Sequence, residues 1–173
     1  MDALDTLCLA MTEYYAGEPK QIQHLLKVHA FARMIGLGEG LDAKAPFTLE
    51  AAAYVHDIGI KPAMEKYASS AGPLQEKEGG PAARKVLSGL GFASDVTERA
   101  VFLVEHHLTY TGVDGSDWQI LLEADYLVNS YEGNADAEAV RAAMKRFFRT
   151  EAGTRLLKTQ YPYLNDQPGG INE

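Results

Sequence analysis

Sulfur chemistry is nearly missing from this chain. Cys8 is the single cysteine among 173 residues, which excludes an internal disulfide and a thiolate zinc cluster and fits a reducing compartment. Positive charge is short too: 16 Lys and Arg stand against 24 Asp and Glu, a formal net charge of −8. Such a chain offers no basic field to a nucleic-acid backbone or an anionic membrane, so neither duplex nor membrane is an expected partner. No apolar run approaches the roughly 20 residues that span a bilayer. The opening stretch MDALDTLCLAMTEYYAG carries acids where a secretory signal would carry bases, so the expected location is cytoplasmic. Strand-like alternation is scarce as well. With 46% hydrophobic residues, the chain has enough apolar material for one compact domain, expected over 1–165, with a frayed tail at 166–173.

What the sequence does contain is apolar residues at helical spacing, in segments punctuated by Gly and Pro, and the pattern is all-α. A first helix is expected over Ala3 to Tyr15, and a second opens at Pro19 and stops at Gly36. GLGEGLDAKAP then reads as a loop, and Thr48 can cap a third helix running from Leu49 to about Asp57. Residues 58–80 read as a long irregular segment with at most one short helix near Met64 to Ser69. Pro81 opens the next helix, Asp95 and Glu98 form a capping box for another reaching His106 and His107, and Asp117 can cap WQILLEADYLVNSY. Two amphipathic helices, Ala135 to Arg149 and Glu151 to Gln160, follow.

Three of these helices carry polar groups on apolar stripes. His24 shares a face with Val28, Phe31 and Ile35; Leu49, Ala52 and Ala53 lead to His56, with Asp57 one step around; Asp125 lies among Trp118, Leu121, Leu122 and Val128. Each alone suits a hydrogen-bonded core residue. Together, on separate helices, they are all satisfied only by converging on something common, and neutral imidazoles with carboxylates suit Fe, Mn, Co, Ni or Zn better than Ca or Mg. His29 lies about 140° round the helix from His24 and is assigned to packing, as is Cys8.

The order His24, then VHD at His56 and Asp57, then EAD at Asp125 resembles the HD-domain superfamily of metal-dependent phosphohydrolases. The resemblance spans about residues 20–130 and includes QHLLKVHAFA, AAAYVHDIGIK, EGGPAARKVL and LVEHH before LLEADYLVN. It implies an all-helical HD-type bundle of about six to eight helices, a divalent transition metal held by His24, His56, Asp57 and Asp125, and hydrolysis of a phosphate ester. Relatives with two metals supply further histidines. His106 and His107 match the late ones, and Glu76 is the nearest stand-in for an earlier one, so one tight site is expected and a second, weaker one stays open.

The resemblance also assigns roles. The metal with Asp57 activates water, Lys61 places a positive charge beside the phosphate of a small phosphorylated substrate, and His106 or His107, whichever is not a ligand, protonates the leaving alkoxide. Tyr67, Tyr110, Tyr126 and Asn129 fall where the pocket rim should be, with Tyr110 and Asn129 taken as substrate contacts. Ile-Gly-Ile-Lys after the pair, where some nucleotidases carry a glutamate, argues against a 5'-deoxynucleotidase. The missing GYP after the late histidines argues against the cyclic-dinucleotide branch. A di-iron oxygenase and a non-catalytic, metal-dependent nucleotide-binding module are the alternatives.

Overall fold

The computed structural model describes residues 1–42 and 44–166; beyond Asp166, the tail expected to fray lies outside them. Helices form where apolar spacing and caps coincide. Asp2 accepts from the Asp5 amide and Asp5 reciprocates, a capping box that starts α1 (Ala3–Tyr14). Pro19, whose missing N–H costs nothing in a first turn, opens α2 (Pro19–Gly38). There follow α3 (Lys44–Val55), α4 (Ile60–Tyr67), α5 (Gly72–Gly89), α6 (Ser94–Val104), α7 (Ser116–Glu132), α8 (Ala137–Phe147), α9 (Glu151–Gln160) and a 3-10 turn, Pro162–Leu164. No strand occurs among the described residues.

Several expected boundaries move, for identifiable reasons. Gly36 does not stop α2; it is buried within the helix, facing Leu49 and Leu41. Thr48 is not a cap, since α3 starts at Lys44 and the Thr48 hydroxyl donates to the Lys44 carbonyl at 3.3 Å. The helix ends at Val55, so His56 and Asp57 stand in the turn after it. Residues 58–80 are not a long loop but mostly α4 and the first half of α5, with Pro81 inside that helix. Glycines in this stretch serve close contact rather than chain breaking. A Cβ on Gly59 would fall 2.1 Å from the Gln75 carbonyl oxygen and 2.8 Å from the Gly79 nitrogen. The acids expected to cap α6 and α7 form ion pairs instead: Asp95 with Lys44, Glu98 with Arg84, and Asp117 with Arg99, at 2.7 Å for the last.

Packing centres on α3, whose residues from Thr48 to Val55 are all buried. It lies against α1, α2, α6 and α7, while α2 runs along α7 and α5 pairs with α4 and α6. The run Ala51, Ala52 and Ala53, each fully buried, keeps that central helix thin enough for its neighbours to approach. One hydrophobic cluster extends from Leu7 through Leu49, Leu103 and Leu122 to Leu164. The ends of α3 and α6, the second turn of α2 and the middle of α7 thus meet on one side of this core.

Candidate metal centre

Four imidazole and carboxylate groups are delivered to that meeting point. His24 sits on the buried face of α2 with Leu25 and Val28, and Asp125 on α7 among Leu121, Leu122 and Val128. His56 and Asp57 follow the end of α3, where the Ile58 amide donates to the Val55 carbonyl at 3.0 Å and the Ile60 amide to the Asp57 carbonyl at 2.9 Å. His24 Nε2 lies 3.2 Å from His56 Nε2, 3.2 Å from Asp125 Oδ1 and 3.4 Å from Asp57 Oδ2. His56 Nε2 lies 3.5 Å from Asp125 Oδ1 and 3.6 Å from Asp57 Oδ2. Ligands held about 2.0–2.2 Å from one ion, at right or tetrahedral angles, stand about 2.8–3.6 Å apart. The donor set therefore has the spacing of a metal site, and His24, His56 and Asp57 could hold an ion together.

The outer nitrogens of the histidines are committed. His56 Nδ1–H donates to the Ala53 carbonyl at 2.8 Å, and His24 Nδ1–H to Glu132 Oε2 at 2.9 Å. Glu132 is itself held by Lys27 Nζ at 2.6 Å. Bonds of this kind fix the tautomer and turn the Nε2 lone pairs inward. His107 follows the same rule from the end of α6: Nδ1–H donates to the Val104 carbonyl at 2.7 Å, and Nε2 points to Asp57 Oδ1 at 3.3 Å. That Nε2 is fully buried and has no hydrogen-bond partner. An orphaned buried nitrogen is costly, and a cation beside Asp57 would satisfy it. The Asp57 carboxylate thus straddles the cluster, one oxygen toward His24 and His56 and the other toward His107.

Charge follows geometry. Burial disfavours the His56 cation, yet Asp57 and Asp125 outweigh that and raise its pKa to about 9. Burial likewise opposes protonation of His24, but Asp125 and Asp57 prevail over it and over the charge on His56, and the pKa rises. Burial would raise Asp125, but bonds to His24 and His56 pull it down to about 2. Asp57 is also driven well below the usual carboxylate range, with His56, His107 and His24 overcoming its burial.

The remaining expected residues divide. Asn129 is at the site: exposed on α7, it donates from Nδ2 to Asp125 Oδ1 at 2.8 Å. Tyr110 stands nearby, its ring 4.6 Å from Phe147; burial and then the charge of Asp125 push its pKa up to about 12, so it remains a neutral donor. His106 is turned away from the cluster, its Nδ1–H donating to the Phe102 carbonyl at 2.7 Å. Its ring stacks on Phe102 at 4.2 Å and meets Trp118 edge-on at 5.3 Å, because consecutive residues of one turn cannot both face the cluster. Glu76 is not brought into this cluster: its Oε1 accepts from the Leu108 amide at 3.1 Å and the Thr109 hydroxyl at 3.0 Å, tying α5 to the turn after α6. Lys61 is drawn away from the phosphate role, its ammonium donating to the Tyr14 carbonyl at 2.5 Å and pairing with Glu18 at 2.9 Å. Tyr67 donates to Glu78 at 2.7 Å, and Tyr126 packs on Phe147 and Phe148. His29 bonds Glu50 at 2.8 Å and stacks on Tyr54, a packing role as expected.

Sequence reasoning missed Glu132, Lys27 and Gln21. Gln21 Nε2 donates to Asp57 Oδ2 at 2.7 Å. A signal existed for two of them, since Gln21 and Lys27 stand three residues either side of His24 and so share its helix face. Nothing in the sequence ties Glu132, from α7, to His24.

Comparison with known families agrees with this geometry. The HD domain family model matches residues 22–144. No curated protein and no solved structure matches the chain.

Proposed function

The chain belongs to the HD-domain family, and from that premise we propose that it is a metal-dependent phosphohydrolase acting on a small phosphate ester, a nucleotide or another phosphomonoester or phosphodiester. The observation that carries the reading is the convergence of His24 Nε2, His56 Nε2, Asp57 Oδ2 and Asp125 Oδ1 at metal-ligand spacing. These four residues would hold the ion, with Glu132 setting the tautomer of His24. When bound, a divalent transition metal supplies a Lewis acid for the phosphoryl oxygen and lowers the pKa of water toward neutrality.

The protein's own groups do the rest. Asp57, with its side chain 16% exposed, is the edge of the cluster open to an incoming phosphate. Asn129 keeps one amide hydrogen on Asp125 and has a second, with its carbonyl, to offer substrate. Tyr110 can donate its hydroxyl without losing a proton near neutral pH. With His106 stacked away, the leaving group takes its proton from a group other than that residue. Cys8 as the lone thiol fits a cytoplasmic setting.

Asp57 and His107 would hold a second, weaker metal, a reading favoured by the orphaned His107 Nε2. The same feature supports the di-iron oxygenase reading, which requires near two irons per chain and oxygen consumption. Metal analysis of protein purified without chelators, followed by a screen of phosphomonoesters, cyclic nucleotides and nucleoside polyphosphates with Mn, Co or Ni, tests the proposal. Bound metal that His56→Ala and Asp125→Ala abolish is the expected result, together with ester hydrolysis that a folded Asp57→Ala protein lacks. A native protein free of transition metal refutes it.

A further inference from the structure

We propose that the junction of α1 and α2, Tyr14–Gln21, is a clamp on the His56–Asp57 turn, and that Gln21 is the positioning residue that sets which way the Asp57 carboxylate faces. The inference rests on reading the site as a metal centre, and every residue of this junction precedes residue 22, where the family match begins.

Asp57 needs such a device. It follows the last turn of α3, so no helix of its own holds its side chain. Rotation about the final bond of an aspartate is broad and soft. Its two oxygens nonetheless have different duties, with Oδ2 3.4 Å from His24 Nε2 and Oδ1 3.3 Å from His107 Nε2. A quarter turn of the carboxylate would bring neither oxygen into line.

Both ends of the residue are held from the junction. The Tyr15 hydroxyl donates to the Asp57 carbonyl at 2.8 Å, and Tyr14 to the adjacent Ile58 carbonyl at 3.1 Å. Tyr15 is 1% exposed, so no water competes for that bond. Gln21 Nε2 donates to Oδ2 at 2.7 Å and pins the carboxylate plane. Lys61 closes the arrangement from the other side, bonded to the Tyr14 carbonyl and to Glu18, with its ammonium 4.9 Å from the Tyr14 ring centre and 5.3 Å from that of Tyr15. The lysine after the His-Asp pair therefore fastens the clamp. Gln21 stands one helical turn before His24, so one face of α2 supplies both a histidine and the group that aims its carboxylate partner.

The test is cobalt binding to the full chain, read by competition with a chromophoric chelator and by the visible absorption of the bound ion. Gln21→Met keeps side-chain length and removes the donor, and should weaken Co2+ binding about tenfold, as loss of an outer-shell partner does. The absorption band should change shape while the melting temperature of the metal-free protein stays near wild type. Tyr15→Phe, which keeps the ring, should weaken Co2+ binding in the same direction, and stands in if Gln21→Met does not fold. Wild-type cobalt affinity and spectrum in a folded variant overturn the clamp and leave the metal-centre reading intact. A wild-type protein that binds no cobalt overturns both.

Discussion

Loading the site with metal should expel protons, and the number follows from the histidines. In the metal-free protein the carboxylates of Asp57 and Asp125 outweigh the burial of His56 and hold its pKa at about 9. A ligand imidazole must be neutral. At pH 7 removing that proton costs about 2.7 kcal/mol, at roughly 1.36 kcal/mol per pH unit, so binding is about 100-fold weaker than above pH 9. Asp125, held down to about 2, and Asp57, lower than an ordinary carboxyl, are already ionised and release nothing. His24 is raised in the same direction as His56 and adds to the protons released. The logarithm of the apparent affinity for Mn2+ or Co2+ should therefore rise by at least about one per pH unit between pH 6 and 8. Calorimetric titration in buffers of different ionisation enthalpy counts the protons directly. An affinity flat across that range would mean that the imidazoles are already neutral in the empty site, and the electrostatic account would fail. The sign for stability runs opposite to that for binding. The raised His56 stabilises the metal-free fold fully below about pH 6.5, and that contribution disappears as pH rises through about 9. The depressed Asp125 contributes above about pH 3.8 and is lost as pH falls toward 2. Metal-free protein should melt highest between those limits, with added metal moving the optimum to higher pH.

The two late histidines separate cleanly by substitution. His107→Ala should lower the metal bound per chain at saturation, whereas His106→Ala should leave it unchanged and lower the melting temperature by a few degrees through loss of stacking worth about 0.5–1.5 kcal/mol; equal metal content in both variants would refute the assignment of His107. Gly59→Ala places a methyl group 2.1 Å from the Gln75 carbonyl oxygen, which is backbone and cannot swing aside. About 1–3 kcal/mol of overpacking is expected, or roughly 2–4 °C of melting temperature per kcal/mol for a chain of this size. An unchanged thermal denaturation curve would show that α4 and α5 are not in close contact there.

The helices were legible because apolar spacing is a local property, and so were the inward faces of His24 and Asp125. Misreadings arose where a residue's neighbours come from elsewhere in the chain. Gly79 and Gly80 look like chain breakers in sequence, yet both are buried inside α5, and a Cβ on Gly79 would meet Val104 at 2.7 Å. Asp95, Glu98 and Asp117 have the right local order for caps, but Lys44, Arg84 and Arg99 offered them full charges. At the site, residue type and order identified the cluster, while only geometry could separate His107 from His106 or reveal that Lys61 turns toward Tyr14 and Glu18. Glu132 belongs to the same class, because its link to His24 spans more than a hundred residues of sequence.

Two buried carboxylates two positions apart on α7 show why the cluster reads as a site rather than as structure. Glu123, two residues before Asp125, is fully buried and satisfied by ordinary donors: the Arg149 amide at 2.6 Å, the Thr150 amide at 3.0 Å and Gln119 Nε2 at 2.7 Å. The fold can thus satisfy an internal carboxylate with amides and the Thr150 hydroxyl when its role is to close the connection between α8 and α9. Asp125 receives one amide, from Asn129, and otherwise faces two imidazole nitrogens that sit 3.2 Å from each other. Two neutral imidazoles meeting through their lone pairs repel, and two protonated ones repel more, so without a shared cation the arrangement holds only by keeping protons it would release at higher pH. A structural core has no reason to assemble that conflict from three separate parts of the chain. One divalent ion would resolve it, since both carboxylates and both nitrogens could hold it while Glu123 kept its own donors.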